Sequence, residues 1–114
     1  MTSYFPGDLL LFEELVTTYQ REGKTRPMLV LADTGDDDII VARMTTRFQS
    51  LPYVVEIRNW REAGLAQPSF VRLNKVQTVH KSLVLKAVGR LTNDDARSVR
   101  ASLQLLMSAW NSVD

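Results

Sequence analysis

Gly23-Lys24-Thr25-Arg26-Pro27 runs straight into the apolar stretch Met28-Leu29-Val30-Leu31. Proline has a fixed φ and no N–H, so within a sheet it is tolerated only at a strand start, an edge or a bulge. The segment therefore predicts a loop that ends where an apolar strand begins, with Arg26 at the strand mouth. The unbroken apolar run Met28 to Ala32 predicts a strand buried on both faces. A guanidinium held by such an element and turned to a groove suits work on a phosphate.

Outward from that strand, Asp33-Thr34-Gly35-Asp36 is a turn signal, because glycine supplies φ > 0 and aspartate forms Asx-turns. Ile39 to Met44 then returns as the hairpin partner, ending at Thr45-Thr46-Arg47. Upstream, Gly7 to Phe12 reads as a strand behind a Pro-Gly turn. The polar Glu13 to Gly23 connection is long for so small a domain, which favours function, as a movable cover over the site. Downstream, Phe48 to Pro52 is a crossing loop and Tyr53 to Ile57 alternates like a half-buried strand. Asn59 to Ala66 is a short helical turn, and Ser69 to Leu73, Lys75 to His80 and Val84 to Val88 are further strands. Thr92 is the N-cap of a helix, with Asp95 in the capping-box position. Val99, Leu103, Leu106 and Trp110 share one face of that helix. Short strands followed by one amphipathic helix predict a mainly β domain, a small curved barrel with a C-terminal α-helix across residues 1–114.

The 114 residues form one domain with 45% apolar and 24% charged residues, ordinary for a soluble protein. There is no cysteine and a single histidine, His80, which removes disulfides, zinc-thiolate sites and thiol nucleophiles. No apolar run approaches the roughly 18 residues that span a bilayer, so a cytoplasmic protein without membrane association is expected. The net charge of +1 hides an asymmetry. Residues 1–42 carry 3 basic and 8 acidic side chains, whereas residues 43–100 carry 11 basic and 4 acidic ones. Such a basic tract suits an anionic polymer or a solvated surface equally.

Individual motifs discriminate little. Gly23-Lys24-Thr25 resembles the end of a phosphate-binding P-loop, but the required earlier glycine is Thr18 and no helix follows. Asp36-Asp37-Asp38 is explained by the hairpin turn, with a divalent-cation site as the alternative. His80 reads as a structural residue, and Trp60 and Trp110 as packing residues, Trp60 having base stacking as a second possibility.

The ordered set is more specific: Gly7-Asp8, Gly23 to Pro27, Met44-Thr45-Thr46, Gly64-Leu65, Pro68 to Leu73, Lys75 to Lys81 and Val88-Gly89-Arg90-Leu91. Over nearly the whole chain it resembles the MazF/PemK family of type II toxin–antitoxin toxins. The resemblance implies an SH3-like or CcdB-like barrel acting as a homodimer. It also implies a metal-independent endoribonuclease without cofactors that cuts single-stranded RNA and is blocked by an acidic antitoxin. Arg26 matches the family's catalytic arginine and Thr45 its hydroxyl residue, with Lys24, Thr46, Arg47, Lys75 and Gln77 as RNA contacts. The family segment Asp-Gln-Ile-Arg-Thr-Val-Asp-Lys is here Asn74-Lys75-Val76-Gln77-Thr78-Val79-His80-Lys81, a departure that touches RNA preference and dimer contacts.

These residue types suit the reaction. RNA cleavage without metal uses the substrate's own 2′-OH, a group that DNA lacks. Arginine's fork of donors suits the charge that builds on the phosphoryl oxygens, and threonine can add a hydroxyl donor. Glu13, Glu14 and Glu22 are the candidate bases, and the products would be a 2′,3′-cyclic phosphate and a 5′-OH. Two other readings stay open. One is a CcdB-like, non-enzymatic inhibitor of DNA gyrase using Ser108-Ala109-Trp110-Asn111; the other is a catalytically silent RNA- or protein-binding module.

Overall fold

A computed structural model describes residues 2–13 and 25–113. Its strands are β1 (Asp8–Glu13), β2 (Thr25–Asp33), β3 (Asp38–Thr45), β4 (Val54–Ile57), β5 (Ser69–His80) and β6 (Val84–Arg90). Helix α1 (Asn93–Met107) follows, and 3-10 turns occupy Lys81–Leu83 and Ser108–Ser112. All pairings are antiparallel, in the order β4-β5-β3-β2-β1-β6. The expected mainly β architecture with a C-terminal helix is what the chain adopts.

Side-chain alternation gives the sheet two apolar faces. Leu9, Leu29, Ala42, Met44, Val71 and Leu73 join Val55 and Ile57 of β4 and Val99 of α1 in a first core. Leu10, Phe12, Met28, Val30, Ile39 and Val41 form a second core on the other face, covered by Tyr4, Val79 and Val84. Met28, Leu29 and Val30 are all buried, as a strand between two cores requires. The sheet closes by packing rather than by hydrogen bonds. The turn at residues 59–66, which follows edge strand β4, lies against the other edge, with Gly64 and Ala63 touching the backbone of Val88 and Gly89.

The β2–β3 hairpin forms as expected: Gly35 has φ +86, and the Asp33 carboxylate accepts its N–H at 2.9 Å. The other oxygen of Asp33 accepts from the Tyr4 N–H at 2.8 Å, and Lys81 Nζ lies 3.0 Å from the carboxylate. Thr92 is the N-cap of α1, accepting the Asp95 N–H at 3.3 Å. The Asp95 carboxylate, though, reaches across to the N–H groups of Arg58 and Asn59 at 3.0 and 2.9 Å. It thereby fastens the helix start to the closing turn.

Three expectations are corrected. Arg26 and Pro27 lie inside β2, because β1 continues the ladder as far as Glu13↔Thr25. The two strands expected across residues 69–80 are one strand, whose pairing with β3 jumps from Arg43↔Arg72 to Ala42↔Val76. The bulge thus falls at Leu73 to Lys75. On α1, Val99 is buried and Leu103 packs on the first core, but Trp110 is 66% exposed. The 3-10 turn at Ser108 has already ended the 3.6-residue periodicity before Trp110.

Candidate active site

Strands β2 and β3 part company at their ends. Among the described residues their ladder runs as far as Met28↔Arg43; before Met28, β2 pairs with β1, and after Arg43, β3 pairs with β5. The Val30 carbonyl faces the β1 side, where it accepts the Gly7 N–H at 3.0 Å. N–H and C=O of one residue point to the same side of an antiparallel strand, and successive residues alternate. The nitrogen of Pro27 is therefore turned toward β3, where the absent N–H removes one of the two hydrogen bonds of a further rung.

The parted strands leave a cleft of about 210 Å³ lined by Thr25, Arg26, Pro27, Met44, Thr45, Thr46, Gln67 and Ser69. Extending the Met28↔Arg43 register by two residues brings Arg26 into line with Thr45, on the same face of the sheet. Cross-strand pairs Phe12↔Arg26 and Thr45↔Phe70 carry this row outward on both sides. One row inward, Arg43 stands opposite Arg72 on the same face. The cleft floor thus lies beside a concentration of guanidinium groups.

Thr45 is held in a defined state. Its Oγ1 accepts the backbone N–H of Arg47 at 3.1 Å, a local turn that occupies a lone pair and leaves the hydroxyl hydrogen to donate. Ser69, 4% exposed, instead donates its hydroxyl to the Gln67 carbonyl at 2.9 Å, bracing the cleft wall. Arginine and a donating hydroxyl across a groove can hold an oxyanion and stabilise charge growing on it.

The sequence candidates divide accordingly. The structure brings Arg26, Thr45 and Thr46 together, with exposed Arg47 next in the chain. Glu13 ends β1 opposite Thr25 of the lining, at the lip of the cleft and on the opposite face of the sheet from Arg26. Lys75 and Gln77 are exposed on the far part of β5 and do not line the cleft; the Gln77 amide lies 3.4 Å from Met28 Sδ. Lys24, Glu14, Glu22 and the expected cover from Glu13 to Gly23 fall, apart from Glu13, outside the described residues. Gln67 and Ser69 join the lining without being site candidates from the sequence; Ser69 falls in the motif segment Pro68 to Leu73, but nothing local marks either as a cleft residue.

The remaining candidates have structural surroundings. Asp36 accepts from the Asp38 N–H and the Thr34 hydroxyl in the hairpin turn, which lowers its pKa. Among the described residues no cluster of three or more His, Cys, Asp or Glu could hold a metal ion. His80 Nδ1 accepts the Ser82 N–H at 3.1 Å and so caps a 3-10 turn. Trp60 packs on the first core with the Arg61 guanidinium 4.8 Å above its ring. Among the described residues no helix is long and apolar enough to cross a membrane.

Residues 7–107 match the model of a family described as PemK-like, MazF-like toxins of type II toxin–antitoxin systems. Among solved structures, an endoribonuclease from a mycobacterial species superposes with TM-score 0.73 at 16% identity, covering 95% of this chain and 94% of that one. The Mycobacterium tuberculosis toxin MazF-mt6 does so with TM-score 0.69 at 21% identity, covering 88% and 96%. A MazE-MazF structure from Deinococcus radiodurans gives TM-score 0.74 at 18% identity, covering 95% and 98%. No curated protein sequence matches significantly. At these identities the structures speak for the fold, while the family model spans the strands that build the cleft and the helix that packs behind it. The chain belongs to the PemK-like, MazF-like toxin family of type II toxin–antitoxin systems.

Proposed function

We propose that this chain is a metal-independent endoribonuclease that cuts single-stranded RNA by attack of the substrate 2′-OH on the adjoining phosphorus. The observation that carries the reading is that Arg26 and Thr45 line one cleft between β2 and β3. Arg26 stabilises charge on the non-bridging oxygens, and Thr45 donates its hydroxyl to the same phosphate. The P–O bond to the 5′ oxygen of the next nucleotide breaks as the 2′ oxygen bonds to phosphorus. The leaving oxygen takes a proton, giving a 2′,3′-cyclic phosphate and a 5′-OH. The candidates for accepting the 2′-OH proton are Glu13, Glu14 and Glu22; Glu13, the described one, lies on the face of the sheet opposite Arg26.

The partners follow from the family and from likenesses to named structures, one of them an endoribonuclease in complex with its cognate antitoxin. An acidic antitoxin would meet the basic tract of residues 43–100. A homodimer working in the cytoplasm completes the reading. Its test is incubation of mixed-sequence single-stranded RNA with the protein in excess EDTA, beside Arg26→Ala. Cleavage to cyclic phosphate ends by wild type alone supports it; intact RNA, or equal cleavage by Arg26→Ala, rejects it.

A further inference from the structure

Phe48 lies just beyond the cleft residue Thr46 and is 74% exposed. Its ring is not loose: it meets Phe70 edge-on, with centroids 5.8 Å apart and planes at 70°. Phe70 is half-buried in β5 and is the cross-strand partner of Thr45. Cross-strand partners share a face of the sheet, so Phe70 continues the row of Arg26 and Thr45 by one strand. The edge-to-face contact fixes one ring against the other while Phe48 keeps most of its surface in water.

We propose that Phe48 is a stacking platform for a nucleobase adjoining the phosphate held by Arg26 and Thr45, an assignment that rests on the ribonuclease reading above. Three observations converge on a nucleobase as the occupant. The ring is continuous with the phosphate cleft through Thr45↔Phe70. Exposed Arg47 precedes it in the chain, and Arg43 and Arg72 form the row next to Thr45 and Phe70 on the same face. That combination of backbone-neutralising charge with an aromatic face is how proteins hold single strands. Trp60 is unsuited to stacking on a base, because it packs on the first core and its ring carries the Arg61 guanidinium.

Stacking lets the site hold an unpaired base without reading its edge, and it fixes the sugar beside it. The orientation of that sugar decides whether its 2′-OH lies in line with the departing oxygen. Phe48 would therefore act as a positioning residue for the reaction.

The experiment uses one RNA with a single mapped cut site, in EDTA, with wild type, Phe48→Ala, Phe48→Leu and Phe48→Tyr, all checked by thermal melting. Phe48→Ala is expected to lower kcat/KM about 5- to 150-fold. Phe48→Leu, which keeps apolar contact with Phe70 but no π face, should fall with it, and Phe48→Tyr should stay close to wild type. An abasic substitution at one nucleotide flanking the cut should slow wild type while leaving Phe48→Ala unchanged. At that same nucleotide, 2-aminopurine fluorescence should be quenched by wild type and not by Phe48→Ala. If Phe48→Ala and Phe48→Leu cut as wild type does, or abasic sites slow wild type and Phe48→Ala alike at every position, the stacking assignment falls and the ribonuclease reading stands. If wild type cuts no RNA, both fall together.

Discussion

Gly89 and Ala63 touch backbone to backbone: a Cβ added to Gly89 would overlap the Ala63 carbonyl oxygen. Gly64 meets Val88 in the same way, at φ +93. These contacts close a sheet that hydrogen bonds leave open. Gly89→Ala should therefore destabilise by about 1–3 kcal/mol as the closure is forced apart. Gly64→Ala should cost at least as much, because a left-handed conformation is added to the overlap. Gly7→Ala is the control, since Gly7 shares the positive φ, +97, but has nothing within 4 Å of the added Cβ. Urea titrations of the three variants separate packing from conformation; equal losses would sink the closure argument.

Asp95 is 2% exposed and holds the N–H groups of Arg58 and Asn59. Asp95→Ala would leave both donors without their acceptor, an expected loss of about 3 kcal/mol. Thr92→Ala should cost about 1 kcal/mol, the usual value for a lost N-cap. Because Thr92 Oγ1 also accepts from Asn59 Nδ2, the double variant should lose less than the sum of the singles. A double-mutant cycle by chemical denaturation gives the coupling directly, and strict additivity would count against a shared network.

Asp33 has its pKa lowered from 3.8 to about 2, first by the Tyr4 N–H, then by the Gly35 N–H and by Lys81. A folded-state value below the unfolded one means that the charged carboxylate favours the folded state above about pH 4. That contribution fades as pH falls toward 2. Asp33→Asn should therefore be less stable than wild type at pH 7, with the gap narrowing between about pH 4 and pH 2. Thermal melts across that range are the check; a gap independent of pH would refute the linkage.

Thr45→Val keeps the approximate shape of the side chain and removes the donor, together with the acceptor of the exposed Arg47 N–H. If the hydroxyl acts on the transition state, kcat should fall about 100-fold with KM little changed. Thr45→Ser should retain most of the rate. Single-turnover cleavage distinguishes this from a binding defect, in which KM would rise and kcat would hold.

Legibility from sequence follows the range of the forces involved. The buried run at Met28, the Asp33–Asp36 turn and the Thr92 cap are set by neighbouring residues and form where expected, although burial ends at Val30 and leaves Leu31 and Ala32 half-buried. Arg26 and Thr45 are marked by the ordered motifs, but their placement depends on a register. Pairing with β1 draws Arg26 into the strand, a long-range effect that no local pattern reveals. Gln67 and Ser69 reach the cleft only because β5 follows β3 past the end of β2. The two-strand reading of residues 69–80 fails because a bulge and a chain break look alike in sequence. Trp110 keeps the helical spacing after the helix has ceased to be α.

Pro27 does more than mark where a strand can begin. The rung that would continue the β2–β3 ladder past Met28 lacks one of its two hydrogen bonds, which favours the open cleft. Closing the cleft by re-pairing these strands is correspondingly disfavoured. On the ribonuclease reading proposed above, the site would be open without a trigger, and restraint would come from something laid over the cleft. Under the same reading, inhibition would fall to a second molecule, and the lifetime of that molecule would set when cutting begins.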